Sequence, residues 1–258
     1  MEKGNRYAVL IDADNVSEKY IKFILDEISN DGIATYKRIY GDWTKPVLGT
    51  WKNVLLEYSI TPIQQYGYTT GKNSTDSAMI IDAMDILYSG NVEGFCIVSS
   101  DSDFTRLAVR LRESGMYVVG MGEKKTPAAF ISACNKFRYL EVLAQDSIPD
   151  AIPAAGTGSA ETAEMTPLDT IKSAVRTIVQ EISDDDGRAF VGEIGNMLIR
   201  RYPDFDVRNY GFRKLTPLLK SMEVFDIYSE RNSDGYNKLV YVKERSAAPN
   251  PPRKKDHR

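Results

Sequence analysis

The sequence comprises 258 residues, and its 33 lysine and arginine residues against 36 aspartate and glutamate residues give a formal net charge of −3. A charge so close to zero excludes a uniformly basic surface, so a nucleic-acid partner would have to be held by local patches. Two cysteines are too few for a zinc framework or a disulfide scaffold, and the single histidine is His257, in the charged C-terminal segment. Histidine triads and histidine-ligated metal sites are therefore excluded from the rest of the chain.

The apolar segments of the sequence are all short. None reaches the roughly 18 consecutive apolar residues that a membrane-spanning helix needs. The N-terminal segment likewise contains only a brief apolar run. We therefore expect a soluble protein of the cytoplasm that has no membrane partner.

One sharp change in composition divides the chain. Residues 146–165 consist mostly of alanine, proline, glycine, serine and threonine and contain no lysine or arginine. Such a composition is typical of a flexible linker. We predict one domain over residues 1–145, a second over residues 166–245, and a disordered basic tail over residues 246–258.

Short apolar segments alternate with helical patterns in the first predicted domain, which is the order that a parallel α/β sheet requires. A helix is predicted after each of the first four strands, and residues 127–143 form one closing helix. The predicted strands are residues 7–15, 33–42, 61–68, 95–104 and 116–122.

Aspartate residues follow two of these strands. Asp12 and Asp14 end the first strand, and Asp101 and Asp103 end the fourth. Because ligands of open α/β sheets bind outside the carboxyl ends of strands, these acids would be neighbours if the two strands are adjacent. An aspartate after a strand also often caps the next helix, and Asp14 or Asp103 alone could serve only that purpose.

Helical spacing adds a third position to this pattern. At about 100° per residue, Asp76 lies on the same stripe as the apolar Met79 and Ala83, so it should enter the rim of the sheet. Asp82 and Asp85 point away from that stripe. Four carboxylates at one rim would destabilise the fold unless cations lie among them, and carboxylate oxygens suit Mg²⁺ or Mn²⁺. The joint pattern predicts a site for one of these metals.

Three segments taken together resemble the NYN branch of the PIN-like ribonucleases over residues 7–143: VLIDADN, GKNSTDSAMIIDAMDIL and IVSSDSDFTRLAVRLRESG. The resemblance implies a parallel five-stranded sheet with helices on both faces. It also implies hydrolysis of RNA phosphodiesters that depends on Mg²⁺ or Mn²⁺, with an endonuclease favoured over an exonuclease. Asp82 matches a further helical acid of the family, although its spacing keeps it off the rim. The metal-binding and catalytic positions of the family are matched by Asp12, Asn15, Asp76, Asp101 and Asp103.

Basic and hydroxyl residues near the predicted rim could contact RNA phosphates. For each basic residue a solvated surface charge is the alternative, and Lys72, in the loop before the helical acid, is the strongest candidate. The candidates are Lys72, Ser99, Ser100, Arg106, Lys124 and Lys125.

The second predicted domain has a different pattern, with three helices followed by a β-hairpin, which indicates a small winged-helix-like α+β unit. Its first helix begins near Thr166, with a proline at the first helical position. The segment DVRNYGFRKLTPLLKSMEVFDI closely resembles the LOTUS domain, also called OST-HTH. That resemblance implies binding of RNA or of a protein partner. The candidate RNA-binding residues, around the expected recognition helix, are Arg208, Tyr210, Arg213 and Lys214.

The sequence as a whole therefore predicts a two-domain ribonuclease, with a metal-dependent PIN-like domain joined to a LOTUS domain that selects single-stranded RNA. The alternative is a non-catalytic adaptor that binds RNA or protein. The complete set of acids favours the enzyme, because a binding module has no need of four clustered carboxylates. The RNA target, the number of metal ions and the oligomeric state stay open, a homodimer included.

Overall fold

The computed structural model describes residues 4–66, 74–145, 165–231 and 238–245. The chain divides into two compact units: residues 1–167 with 199–211, and residues 168–198 with 212–258. The predicted linker, apart from Met165, and the predicted tail lie outside the described residues.

Six parallel strands form the sheet of the first unit, in the order β3–β2–β1–β4–β5–β6. The strands are β1 (Arg6–Asp12), β2 (Ile33–Gly41), β3 (Thr61–Gln64), β4 (Gly94–Val98), β5 (Tyr117–Gly122) and β6 (Lys136–Tyr139). The helices are α1 (Ile21–Asp31), α2 (Trp51–Glu57), α3 (Ser74–Ser89), α4 (Thr105–Glu113), α5 (Ala128–Ala133) and α6 (Leu140–Gln145). This order confirms the predicted parallel α/β architecture and places β1 directly beside β4.

The two faces of the sheet bury two separate apolar cores. Leu10 of β1 belongs to the core that is covered by α3, α4 and α5. The next residue, Ile11, belongs to the core that is covered by α1, α2 and α6. Because helices cover both faces, the central strands are apolar at successive positions instead of alternating with polar residues.

The sheet has one strand more than the resemblance implied. Residues 127–143, which were predicted as one closing helix, form α5, β6 and α6. After α5, the backbone and side chain of Asn135 both hydrogen-bond to the backbone of Val118, at 2.8 and 2.9 Å, and this starts the pairing of β6 with β5. The prediction was wrong because periodicity does not separate a short buried strand from a continued buried helix.

Residues 203–205 lie along the outer strand β6, within the first unit. The Phe137 amide donates to the Pro203 carbonyl at 2.7 Å. The Arg138 guanidinium donates to the Phe205 carbonyl at 3.2 Å. Because an uncovered edge strand presents unpaired backbone groups, this segment protects the edge of the sheet.

A buried charge network forms at the same place, from three acids and three bases. The Glu27 carboxylate of α1 is its centre, at 3.4 Å from Lys136, 3.0 Å from Arg138 and 3.1 Å from Arg208. Burial alone would raise the pKa of Glu27, but these cations hold it below its ordinary value. The network consists of Glu27, Asp31, Lys136, Arg138, Asp206 and Arg208.

The remaining elements form a small α+β region with an antiparallel sheet in the order β7–β9–β8. They are α7 (Leu168–Ile182), β7 (Ala189–Phe190), α8 (Val191–Arg201), α9 (Leu215–Ser221), β8 (Phe225–Arg231) and β9 (Lys238–Glu244). The third helix, α9, is preceded by a 3-10 turn (Val207–Tyr210), which ends where Gly211 adopts a left-handed conformation with φ 78°. Within the described ranges, no helix is both long enough and apolar enough to cross a membrane.

Replacing Glu27 by glutamine should lower the free energy of unfolding by about 3 kcal/mol at pH 7, because three partly or fully buried cations lose their shared carboxylate. The measurement is urea denaturation. The matched control is Asp26→Asn, an exposed carboxylate on the same helix, which should change stability by less than about 0.5 kcal/mol. A carboxylate with a lowered pKa stabilises the fold only while it is ionised, so the difference should shrink as the pH falls below about 4.3. Equal losses for the two variants would contradict a structural role for the network.

Candidate functional site

Three aspartates meet where β4 ends and α3 begins. Asp76, Asp101 and Asp103 each offer a carboxylate oxygen, and these oxygens all lie within 4.8 Å of one another. Asp101 and Asp103 reach this position through the 3-10 turn after β4 (Ser102–Phe104), and Asp76 lies in the first turn of α3. Oxygens at these separations could share one cation.

Asp12 lies at the end of the neighbouring strand β1 and is fully buried. Its Oδ2 atom accepts hydrogen bonds from Asn15 Nδ2 at 2.7 Å and from Ser99 Oγ at 2.8 Å. Its Oδ1 atom accepts one from the Asp14 amide at 3.0 Å. Burial raises the pKa of Asp12, and these hydrogen bonds act in the opposite direction. Asp12 is not one of the three aspartates whose carboxylate oxygens lie within 4.8 Å of one another.

Ser99 connects the two central strands at the rim. Its hydroxyl donates to Asp12 and accepts from the Asp101 amide at 3.1 Å. Asp101 in turn accepts a hydrogen bond from the Asp103 amide at 2.9 Å and so caps the short turn that follows β4. The capping role that the sequence left open for Asp103 is thus filled by Asp101, while both carboxylates lie at the rim.

The charges at the rim disfavour ionisation of Asp76, the acid in the first turn of α3. Burial, and then the negative charges of Asp12, Asp101, Asp103 and Asp14, raise the pKa of Asp76 to about 6. A cation among these groups would reverse this effect, because an opposite charge favours the ionised form. The group of three offers only carboxylate oxygens, a donor set that fits a hard divalent cation.

Asp82 is not one of the three clustered aspartates. Its carboxylate accepts hydrogen bonds from the Arg38 guanidinium and the Tyr40 hydroxyl, both on β2. This side chain therefore joins α3 to the sheet, whereas its helical spacing indicated only that it points away from the stripe of Asp76.

The predicted RNA contacts near the rim differ in exposure. Arg106, Lys124 and Lys125 are exposed, and Lys125 forms an ion pair within its own turn. Ser100 is nearly buried, and its hydroxyl accepts a hydrogen bond from a backbone amide of the turn after β5. Lys72 lies outside the described residues.

The four candidates of the second predicted domain fall into two pairs. Arg208 belongs to the buried charge network, and the Tyr210 hydroxyl donates to the Thr166 carbonyl at 2.7 Å. Both are therefore engaged inside the first unit. Arg213 and Lys214 are exposed and lie directly before α9.

Two further residues at the rim were missed by sequence reasoning, and both contact Asp14. Lys45 Nζ lies 3.2 Å from Asp14 Oδ1, and Thr75 Oγ1 lies 3.2 Å from Asp14 Oδ2. Thr75 directly precedes Asp76, but no local pattern marks Lys45, because its position depends on the pairing of β1 with β2.

A parallel sheet that carries clustered acids at the carboxyl ends of its central strands is the architecture of a PIN-like, nuclease-type domain. Residues 6–141 match the NYN domain, just over half of the chain, and the chain belongs to the NYN family. Residues 166–236 match the OST-HTH/LOTUS domain. Both resemblances seen in the sequence are confirmed.

Comparison with solved structures gives only distant similarity. A protein of unknown function from Vibrio parahaemolyticus is 16% identical with a TM-score of 0.45, covering 54% of this chain and 94% of its own. An uncharacterised protein from Nitrosomonas europaea is 28% identical with a TM-score of 0.27, covering 39% of this chain and 92% of its own. TM-scores this low carry no argument about function. No curated protein matches the chain.

Asp76→Asn should raise the free energy of unfolding at pH 8 in the presence of a chelator. The raised pKa of about 6 means that ionised Asp76 disfavours the folded state. This penalty develops between about pH 4 and pH 6 and would reach about 3 kcal/mol without solvent screening. Because the side chain is half-exposed, we expect a gain of about 1 kcal/mol.

Thermal or urea unfolding at pH 8 and pH 4 measures this effect, with the exposed Asp85→Asn on the same helix as the matched control. The gain should appear only for Asp76→Asn and only at pH 8. A gain of the same size at pH 4 would show that it does not come from charge repulsion at the rim.

Proposed function

We propose that this protein is a metal-dependent ribonuclease, which hydrolyses RNA phosphodiesters at the rim of its NYN domain and binds RNA through its OST-HTH/LOTUS domain. The observation that supports this most is the convergence of Asp76, Asp101 and Asp103 at the carboxyl end of the sheet. The NYN family match supplies the class of reaction. Cleavage within the RNA strand is the favoured mode.

Asp76, Asp101 and Asp103 would hold Mg²⁺ or Mn²⁺, which supplies an activated water and offsets the charge that builds on the phosphate. Asp12, which the NYN resemblance also makes a metal ligand, and Asn15 would support this site from its inner side. The Asn15 side-chain amide donates to one oxygen of Asp12. The Ser99 hydroxyl donates to the same oxygen and accepts from the Asp101 amide, so it connects Asp12 to the Asp101 backbone. The carboxylates are therefore placed before any substrate arrives.

The RNA would approach the rim across exposed cations. Arg106 follows Asp103 by three positions, and Lys124 lies in the turn after β5, so both could contact phosphates that flank the scissile bond. Ser100 would support the same turn through its hydrogen bond to the backbone. Lys72 and Lys125 remain predicted contacts.

In the OST-HTH/LOTUS domain, Arg213 and Lys214 are the residues proposed to bind RNA, because their side chains are exposed. Arg208 and Tyr210 would have to leave their partners in the first unit before they could contact RNA. A protein partner for this domain, or a second copy of the chain, is the alternative that the experiments below distinguish.

The double variant Asp101→Asn, Asp103→Asn should reduce Mn²⁺-dependent cleavage of single-stranded RNA by more than about 100-fold, a larger effect than changes outside the metal ligands produce. The measurement is cleavage of a labelled oligonucleotide, with circular dichroism to confirm folding and Asp85→Asn as the control. A chelator should abolish wild-type cleavage in the same way. If cleavage persists in the double variant and in the chelator, the protein is not a metal-dependent nuclease of this kind.

The double variant Arg213→Ala, Lys214→Ala should weaken RNA binding and lower the slope of log affinity against log salt by about one to two units, one for each lost phosphate contact. Binding is measured in a chelator, so that cleavage does not interfere. The double variant Lys22→Ala, Lys52→Ala removes the same charge from exposed positions on α1 and α2 and should leave the slope unchanged. Equal slopes for all three proteins would favour a protein partner for this domain.

A further inference from the structure

The segment between β2 and α2 holds one lysine at a fixed place beside the rim. The Lys45 amide donates to the Asp42 carbonyl at 2.9 Å, and the Lys45 carbonyl accepts from the Leu48 amide at 3.1 Å. The following residue is Pro46, which confines Lys45 to extended geometry, here φ −74° and ψ 127°. The backbone therefore fixes the direction in which the lysine side chain leaves the chain.

Polar side chains brace this segment against β3. The Trp43 amide donates to Gln64 Oε1 at 3.0 Å, and the Trp43 indole donates to the Ile63 carbonyl at 3.0 Å. Gln64 Nε2 donates to Asp42 Oδ1 at 3.0 Å, and the Thr44 hydroxyl donates to the same oxygen at 2.6 Å. Ordering so many side chains costs conformational entropy, and rigidly held loops commonly carry binding residues.

Asp14 connects three elements of the rim. It lies directly after β1, pairs with Lys45 on the β2 side, and accepts a hydrogen bond from Thr75 in the first turn of α3. It does not belong to the group of three aspartates. The side chains of Lys45 and Asp14 are 48% and 34% exposed, and an ion pair of that exposure contributes only about 0–1 kcal/mol. Stability alone therefore gives little reason for this arrangement.

We propose that Lys45 contacts a backbone phosphate of RNA bound at the rim, and that Asp14 is the residue that positions Lys45. This inference rests on the ribonuclease function proposed above and adds a substrate contact to it. A rim of carboxylates repels a polyanion, and a cation on the β2 side, opposite Asp101 and Asp103 in the turn after β4, provides attraction close to the acids. The half-exposed ammonium, on its flexible four-carbon stem, can reach a phosphate without any movement of the braced backbone.

The first test is RNA binding in a chelator, which does not require cleavage. Lys45→Ala should weaken binding of single-stranded RNA about 5- to 10-fold at low salt and lower the salt slope by about one unit. Lys45→Arg should retain most of the affinity, because it keeps the charge. The matched control is Lys52→Ala, an exposed lysine on α2, which should bind as the wild type does. If Lys45→Ala binds with wild-type affinity and slope, the inference is wrong.

The second test separates this inference from the proposed function. In Mn²⁺, Lys45→Ala should raise the KM for RNA cleavage several-fold more than it lowers kcat. If the wild-type protein does not cleave RNA, the ribonuclease proposal is overturned, and the binding test alone decides the role of Lys45. Asp14→Asn should weaken RNA binding as Lys45→Ala does and retain Mn²⁺ binding in calorimetry. Loss of Mn²⁺ binding in Asp14→Asn would instead make Asp14 part of the metal site and contradict its assignment as a positioning residue.

Discussion

The hydrogen bond from Ser99 to Asp12 connects the carboxyl ends of two neighbouring strands, and the turn that carries Asp101 and Asp103 is attached to the same serine. A fully buried carboxylate is costly unless its oxygens are hydrogen-bonded, and three donors satisfy Asp12. The hydroxyl of the same serine accepts a hydrogen bond from the Asp101 amide, and the Asp101 carboxylate accepts one from the Asp103 amide. The innermost acid is thus hydrogen-bonded within the protein, and the carboxylates of Asp76, Asp101 and Asp103 could share a cation.

Local patterns were sufficient to predict most of the acidic site. Asp101 and Asp103 follow a buried strand, and Asp76 lies on the apolar stripe of its helix, so strand order and helical spacing together indicated their convergence. Lys45 could not be found in this way. Its contact with Asp14 depends on the pairing of β1 with β2 and on the path of the turn after β2, and neither is encoded by periodicity.

Long-range ion pairs were equally invisible in the sequence. Arg208 was predicted to bind RNA because a cation beside an expected recognition helix commonly does so, but in the structure it pairs with Glu27, far away in the chain. The extra strand β6 was missed for a related reason, because its burial between β5 and residues 203–205 depends on contacts that the local pattern of residues 127–143 does not show.

The central claim is that the three outer carboxylates form a divalent metal site in an RNA-cleaving domain. Crystals grown with Mn²⁺ and measured at its absorption edge test this most directly. We expect an anomalous peak about 2.0–2.6 Å from oxygens of Asp76, Asp101 and Asp103, the range for hard divalent cations. The crystals should contain Mn²⁺ at a concentration that supports RNA cleavage. The absence of an anomalous peak at these residues, or a peak at other ligands, would then contradict the account.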